Sequence, residues 1–410
     1  MDWVTDLASE ISALGGRLYL VGGAVRDLLM GKEPHDFDYC VTGIEIGDFQ
    51  KLLPGAKMHG KTFQVLDFRR REFAFARKEL KTGIGHKGFE MISNKDISIG
   101  EDLLRRDITI NSIAMDVLTE EIVDPYNGRQ DVERQIIRAT SDAFVEDPLR
   151  TYRVARFASQ LDFRIEPNTF DLMRKTKEEL NTLSPERVYT ELEKALQSQK
   201  PSVFFETLKQ ADVLDIHFPE VQNLIGVIQP ALYHPEGDAY NHTMQVIDKM
   251  AKQTHESHII FAGLVHDLGK ALTPVDERPR HIGHEERGVD LVKALVTRLK
   301  LPTKYQKAGV TACIEHMKAG LYNEMRTAKK VDFIERLSKS ALTLEGIEIL
   351  ANADNTKNTK IEFAEIGKEM LETINAKEYP KNMDYNIIKE NLRRDRIEWL
   401  DKKIKAKECK

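Results

Sequence analysis

A short apolar run, Leu18-Tyr19-Leu20-Val21, reads as a buried strand near the start of the chain. Gly22 and Gly23 interrupt it. Apolar character resumes from Ala24 to Met30 in a stretch that fits a helix, closed by Gly31 and Pro34. His35-Asp36-Phe37-Asp38 then starts a second strand. Residues two apart on a strand share a face, so this pattern sets Asp36 beside Asp38 and turns Phe37 toward the core. Upstream, residues 1–16 form an amphipathic helix ending at Gly15-Gly16. Downstream, Phe63–Phe68 and Glu72–Ala76 read as strands joined by the turn Arg69-Arg70-Arg71, with Glu72, Ala74 and Ala76 on one face and Phe73 and Phe75 on the other. Lys78–Phe89, rich in Gly and Lys, reads as a loop. Glu101–Asn111 fits a helix, and Ile122–Gly128 a strand entering a turn.

From about residue 140 the periodicity becomes helical and stays so. Asp147-Pro148-Leu149-Arg150 has the form of a helix start, with Asp147 as cap and Pro148 at the first position. Arg150, Arg153 and Arg156 recur along adjacent turns, with Leu149, Val154, Phe157 and Leu161 for packing. A further helix opens at Ser184-Pro185-Glu186-Arg187. Tyr233–Gly237 marks a boundary. Beyond it, an apolar helix over Ile259–Val265 runs into His266-Asp267-Leu268-Gly269-Lys270. Residues beyond 375 form a Lys- and Glu-rich helix.

The chain has 410 residues, enough for several domains. No apolar run is long enough to span a membrane, and MDWVTDLASEIS lacks the features of a signal peptide. Cys40, Cys313 and Cys409 are scattered, so no disulfide framework or zinc motif is visible, which points to a reduced, cytoplasmic setting. Net charge is −5, so any binding to nucleic acid needs a local basic surface.

Two stretches carry chemistry. Gly22-Gly23 lies between strand and helix, where backbone N–H groups can meet a triphosphate. Asp36 and Asp38 repel each other unless a cation stands between them, and Glu72 offers a third carboxylate from a neighbouring strand. Arg106 can reach a triphosphate, and Asp107 and Asn111 can bond a ribose or each other. The second stretch, from His242 onward, sets the adjacent pair His266-Asp267 among further histidines, with His281, His284 and His316 as possible metal ligands.

GGAVRD followed by DFD resembles the signature of the nucleotidyltransferase superfamily that includes DNA polymerase beta. LVGGAVRD, DFD, RRDITIN, VDPYNG, EDPLRTYRVARF and SPERVYTELEKAL, in this order, resemble the class II tRNA nucleotidyltransferases, the CCA-adding enzymes. The HDLGK region resembles the HD phosphohydrolases and the bacterial form of that enzyme which carries an HD domain. The resemblance implies an α+β fold. A polymerase-beta-like head with a mixed sheet (residues 1–139) precedes an all-α neck and body (140–225), an HD domain (226–375) and a charged helical tail (376–410). It implies addition of CCA to the 3′ end of tRNA from CTP and ATP without a nucleic-acid template.

Carried over by position, Asp36 and Asp38 match magnesium ligands, with Glu72 as third carboxylate. Gly23, Arg26 and Arg106 match nucleotide-binding positions, and the Asp107 region matches ribose recognition. Asp147, Arg150 and Arg153 match the base-reading helix. The loop near Lys78–Phe89 matches an element involved in switching from C to A addition. His242, His266, Asp267 and Asp354 match an HD site for a divalent ion, with nickel and magnesium as candidates, acting on 2′,3′-cyclic or 2′-phosphate groups. A monomer or homodimer without membrane association is expected. A poly(A) polymerase, or an enzyme adding only CC or only A, shares the head motifs. An HD phosphohydrolase with a non-catalytic RNA-binding head is a reading of another class, which the intact Asp36 and Asp38 disfavour.

Overall fold

A computed structural model describes residues 3–59, 65–81, 89–232, 234–235, 237–356, 359–380 and 382–408. The chain divides into two units. The first comprises residues up to 191 together with 203–216, and the second comprises 192–202 together with the chain from 217 onward.

The first unit is organised on a seven-stranded sheet. Its strands are β1 (Arg17–Val21), β2 (Asp38–Thr42), β3 (Lys57–His59), β4 (Val65–Phe68) and β5 (Arg71–Phe75), with β8 (Ala114–Asp116) and β9 (Ile122–Val123) from later in the chain. Their order is β3-β4-β5-β2-β1-β8-β9. Every pairing is antiparallel except β2 with β5. Leu18, Tyr19, Leu20 and Val21 are all buried, because β1 lies inside the sheet with both faces covered. On one face, Tyr39 stacks on Phe73 at 5.1 Å, and Phe49 packs edge-on against Phe75. On the other, Tyr19, Val21 and Cys40 join Ile97, Ile99, Leu103 and Ala114 in a core cluster.

Four expectations need correction. The second strand begins at Asp38 rather than His35, since a bend precedes it, and Phe37 is half-buried beneath the Arg71 guanidinium, 5.2 Å from its ring. The stretch read as a loop over Lys78–Phe89 contributes paired strands, β6 (Arg77–Lys81) and β7 (Phe89–Ser93), and residues 82–88 lie outside the described residues. The helix expected over Glu101–Asn111 spans Ile99–Leu104 only. At Ile108 the backbone extends, with the Asp107 carboxylate accepting the Ile108 N–H at 2.9 Å and the Arg138 carbonyl accepting the Thr109 N–H at 2.9 Å, before a short 3-10 helix over Thr109–Asn111. These local partners outcompete helical bonding. Finally, the region after residue 140 includes a two-residue strand, Arg164–Ile165, parallel to Ile136–Ile137.

The second unit is helical. Helices Ala239–Ala251, Ser257–Val265, His284–Arg298, Thr303–Gly320 and Thr343–Asp354 surround an apolar centre. Ile260, Phe261, Leu264, Val292, Leu295, Ala312, Ile347 and Leu350 are fully enclosed there. The helix Tyr385–Glu408 follows. Among the described residues, no helix is long and apolar enough to cross a membrane.

Candidate functional site

The first unit holds a cavity of about 720 Å³ above the β1–β2–β5 face. Asp38 opposes Glu72 in the parallel register of β2 and β5, so their side chains leave the sheet on the same side. Asp36, just before β2, lines the same cavity. Burial raises the Asp38 carboxyl above the usual range and Asp36 adds to this, while Arg106 opposes it. Burial, then Asp38, Asp67 and Asp36, raise Glu72 in the same direction. Negative charge is thus concentrated beyond what nearby side chains neutralise, and an oxygen-rich set of this kind fits magnesium.

Opposite the carboxylates stands a set of braced arginines. Ser98 caps helix Ile99–Leu104 in a reciprocal box with Glu101. That helix carries Asp102, 1% exposed, which accepts from Arg105 at 2.7 Å and from Arg106 at 3.1 Å. Burial disfavours the Asp102 charge, but the two guanidinium groups outweigh it and lower the pKa. Gly22 has φ +72°, a conformation that favours glycine, and a Cβ there would press on the Arg106 guanidinium at 3.0 Å. Arg26 donates to Asp27 and, at 2.8 Å, to Asn111. Asn111 donates in turn to Asp107 at 3.4 Å, and Asp107 accepts from Arg153 at 2.7 Å. The expected Asp107–Asn111 contact forms, yet Asp107 is buried. Burial opposes its charge, and Arg153, with Arg150 and Asn111, overcomes this and lowers its pKa.

The helix after Pro148 begins at Leu149, one residue later than expected. The Asp147 carboxylate accepts the Leu149 N–H at 3.0 Å. Asp147 also pairs with Arg187 at 3.0 Å. Arg150 is buried and donates to the carbonyls of Ala143 and Arg105 at 2.6 Å each. Arg156 bonds Glu191 and Gln160 and lies over the Phe157 ring, which Arg26 and Arg153 also flank. Gly23, Arg26, Asp36, Asp38, Glu72, Arg106, Asp147, Arg150 and Arg153 all line the one cavity. Sequence reading missed Asp102, Arg187 and Phe157. The reading assigned RRDITIN and the Pro185 helix start, but nothing local showed that Asp102 and Arg187 would brace cavity residues.

A separate cluster lies in the second unit. Asp238 caps helix Ala239–Ala251 and thereby sets His242. His266-Asp267 follows the end of helix Ser257–Val265, and Asp354 ends helix Thr343–Asp354. The His242 Nε2 atom lies 2.9 Å from Asp354, and His266 Nε2 lies 3.1 Å from Asp267. Burial disfavours the His266 charge, but Asp267 and Asp354 outweigh it and raise its pKa to about 10. Burial also opposes ionisation of Asp267, which His266 and Lys270 nonetheless hold well below the usual carboxylate range. Lys270 Nζ lies 2.5 Å from Asp267 Oδ2, yet among the described residues His266 Nε2 and both Asp267 oxygens are buried with no well-aligned hydrogen bond. Atoms of this kind, converging with His242, fit a divalent ion. His281 is turned away, its ring nitrogens at Thr273 and the Ile228 carbonyl, whereas His284 and His316 reach Asp267.

These geometries define a nucleotidyltransferase head joined to an HD domain. Residues 18–138 match the Poly A polymerase head domain, 162–225 the "Probable RNA and SrmB- binding site of polymerase A", and 239–359 the HD domain. The chain is 43% identical over 327 residues to a Multifunctional CCA protein of Shewanella frigidimarina, covering 78% of each. It is 37% identical over 401 residues to that of Acinetobacter baumannii, covering 94% of this chain and 97% of the relative. The chain therefore belongs to the multifunctional CCA protein family. In fold it resembles the Thermotoga maritima CCA-adding enzyme complexed with tRNA, with a TM-score of 0.63 at 21% identity, covering 98% of this chain and 91% of that one.

Proposed function

We propose that this chain adds CCA to the 3′ end of tRNA, taking CTP and ATP without a nucleic-acid template. In the reaction the terminal ribose 3′-oxygen bonds to the α-phosphorus of the incoming nucleotide, and the bond to pyrophosphate breaks. The observation that carries this reading is one cavity shared by three carboxylates, a Gly-Gly turn, braced arginines and the Asp147 turn. Asp36 and Asp38, beside Glu72, would hold magnesium, which supplies activation of the attacking oxygen and charge neutralisation at the phosphates. Gly23 lets the triphosphate approach the backbone, and Arg26 and Arg106 neutralise it.

Asp147 and Arg150 would select the base. Cytosine and adenine each present an amino donor beside a ring-nitrogen acceptor. Asp147 accepts from the first and Arg150 donates to the second. Uracil and guanine reverse both polarities, at a cost of roughly 1–3 kcal/mol per unpaired group. Arg187 pairs with Asp147 and fixes the direction of its lone pairs. Arg150 already gives donors to two carbonyls, so reading a base draws on its remaining N–H groups or releases one of these bonds.

In the second unit, His242, His266, Asp267 and Asp354 would hold a divalent ion that activates water against 2′,3′-cyclic or 2′-phosphate esters. Two imidazoles among these four ligands favour a transition metal such as nickel over magnesium. We place the protein in the cytoplasm, with tRNA, CTP and ATP as its partners.

Primer extension on tRNA lacking CCA, with CTP and ATP separately and together, tests the assignment. Two C additions followed by one A are expected. Unlimited A addition would instead indicate a poly(A) polymerase, and no nucleotide consumption would indicate a binding protein. Asp147→Ala and Arg150→Ala are expected to relax exclusion of UTP and GTP. If both lose only rate, the base-reading assignment is wrong.

A further inference from the structure

The sheet holds only part of the carboxylate set. Pairing of β2 begins at Asp38, opposite Val21 on β1 and Glu72 on β5. Asp36 and Phe37 precede that ladder, so strand pairing fixes Asp38 and leaves Asp36 to other contacts. Asp36 is exposed, and it sits between Pro34, which is buried, and Phe37, which is half-buried. Phe37 is therefore its nearest anchor on the strand side.

Extending the parallel register by one residue sets Phe37 beside Arg71, on the opposite face from Asp38 and Glu72. Neither residue lines the cavity. The Arg71 guanidinium lies 5.2 Å from the Phe37 ring, 5.2 Å from the Trp3 ring and 5.9 Å from the Tyr39 ring. It also donates to the Tyr39 hydroxyl at 3.2 Å. Each ring face attracts the cation, and partial burial strengthens the attraction. Tyr39 in turn stacks on Phe73. Phe37 is thus tied through one guanidinium to helix Trp3–Ala13 and to the aromatic layer beneath the sheet.

The hairpin before β5 sets the place of Arg71. It turns through two residues, Arg69 and Arg70, at φ 51° and 61°, and this puts Arg71 opposite Phe68. Arg69 lies 5.3 Å from the Trp3 ring and 5.2 Å from the Phe68 ring, so it belongs to the same aromatic cluster at a different point. Arg71 and Glu72 are neighbours on β5. One strand therefore presents a carboxylate to the cavity and a clamp behind it.

We propose that Arg71 is a positioning residue for nucleotidyl transfer: by clamping Phe37 it fixes Asp36 relative to Asp38. This rests on the reading of Asp36 and Asp38 as magnesium ligands. Magnesium demands near-ideal octahedral geometry, so a displaced Asp36 weakens capture of the ion while Arg26 and Arg106 still meet the triphosphate.

The test is CTP binding to the full chain by equilibrium dialysis as magnesium is varied, without tRNA so that nothing turns over. Arg71→Met keeps the side-chain stem and removes the guanidinium. It is expected to raise the magnesium midpoint about fivefold to tenfold, with CTP affinity at saturating magnesium unchanged. Phe37→Leu should shift the midpoint in the same direction, and Arg71→Lys, which keeps the charge without the flat stack, should fall between Arg71→Met and wild type. Arg69→Met loosens the same cluster and should keep the wild-type midpoint. In steady-state extension, kcat of Arg71→Met should fall at low magnesium and recover as magnesium rises. A loss of stability in urea with the midpoint unmoved would reduce Arg71 to a packing role and overturn the proposal, as would an equal shift in Arg69→Met. If Arg71→Met does not fold, Phe37→Leu decides by the same criterion. If Asp36→Asn and Asp38→Asn also keep the wild-type magnesium dependence, the magnesium-ligand reading itself fails; if they lose it while the Arg71 and Phe37 variants keep it, only the positioning role is refuted.

Discussion

Replacing Asp102 by asparagine keeps the shape of the side chain and inverts half of its polarity. The carboxylate accepts from the Arg77 N–H at 3.3 Å, from Arg105 Nε and Nη2 at 3.1 and 2.7 Å, and from Arg106 Nε and Nη2 at 3.3 and 3.1 Å. Asparagine retains one acceptor oxygen and turns an NH2 group toward whichever guanidinium the oxygen does not face. Breaking a buried ion pair costs about 3–5 kcal/mol. Arg105 and Arg106 are 17% and 20% exposed and recover some hydration, so the lower end, about 3 kcal/mol of stability, is expected. Arg106 then loses the anchor that holds it beside Gly22. If about 1.4 kcal/mol of its contact with the triphosphate is lost, KM rises about tenfold. Steady-state extension of tRNA ending before C and before A should show this rise for CTP and ATP alike. The preference over UTP and GTP should be unchanged, because Asp102 braces the triphosphate side and not the Asp147–Arg187 pair. A stability loss measured in urea with KM unaltered would refute the argument, as would a loss of base preference.

Other expectations follow from single contacts. Gly269→Ala would force backbone apart at His284 and Gly288, at a cost of at least about 2 kcal/mol; phosphohydrolysis and metal uptake should be lost while nucleotide addition on the same preparation persists. His217 is buried, and burial followed by the charge of Arg298 lowers its pKa to about 4. Its folded value is below the unfolded one, so protonation favours the unfolded chain. This contribution is complete above about pH 6.5 and falls by about 2 kcal/mol between pH 8 and pH 5. Urea unfolding of His217→Gln should show a shallower acid slope than wild type, and equal slopes would contradict it.

The elements near the cavity were legible where pattern and punctuation agreed. Leu18–Val21, the Gly-Gly turn and the Asp147 cap each carry a local signal, and the structure places them within a residue of expectation. The stretch after Leu104 misled because ITIN reads as apolar helix, while the partners that extend it, Arg138 and Ala139, lie some thirty residues on. Lys78–Phe89 reads as a loop because it is rich in Gly and Lys, and the pairing of Arg77–Lys81 with Phe89–Ser93 leaves no local signal there. Candidate ligands could be named from residue type. Their sorting could not: His284 and His316 converge on Asp267 while His281 turns away, and only the helix packing at Gly269 decides that.

The chain changes unit after residues 191, 202 and 216. During synthesis, everything the first unit requires has emerged once residue 216 clears the ribosome, and domains fold as they emerge. Residues 192–202 are made early but belong with partners that come later. This segment must wait, held between completed structure on either side, until the histidine-bearing helices arrive. A ribosome stalled between these points would therefore carry a finished polymerising centre and an apolar stretch, including Leu192, Ala195 and Leu196, still awaiting its cover.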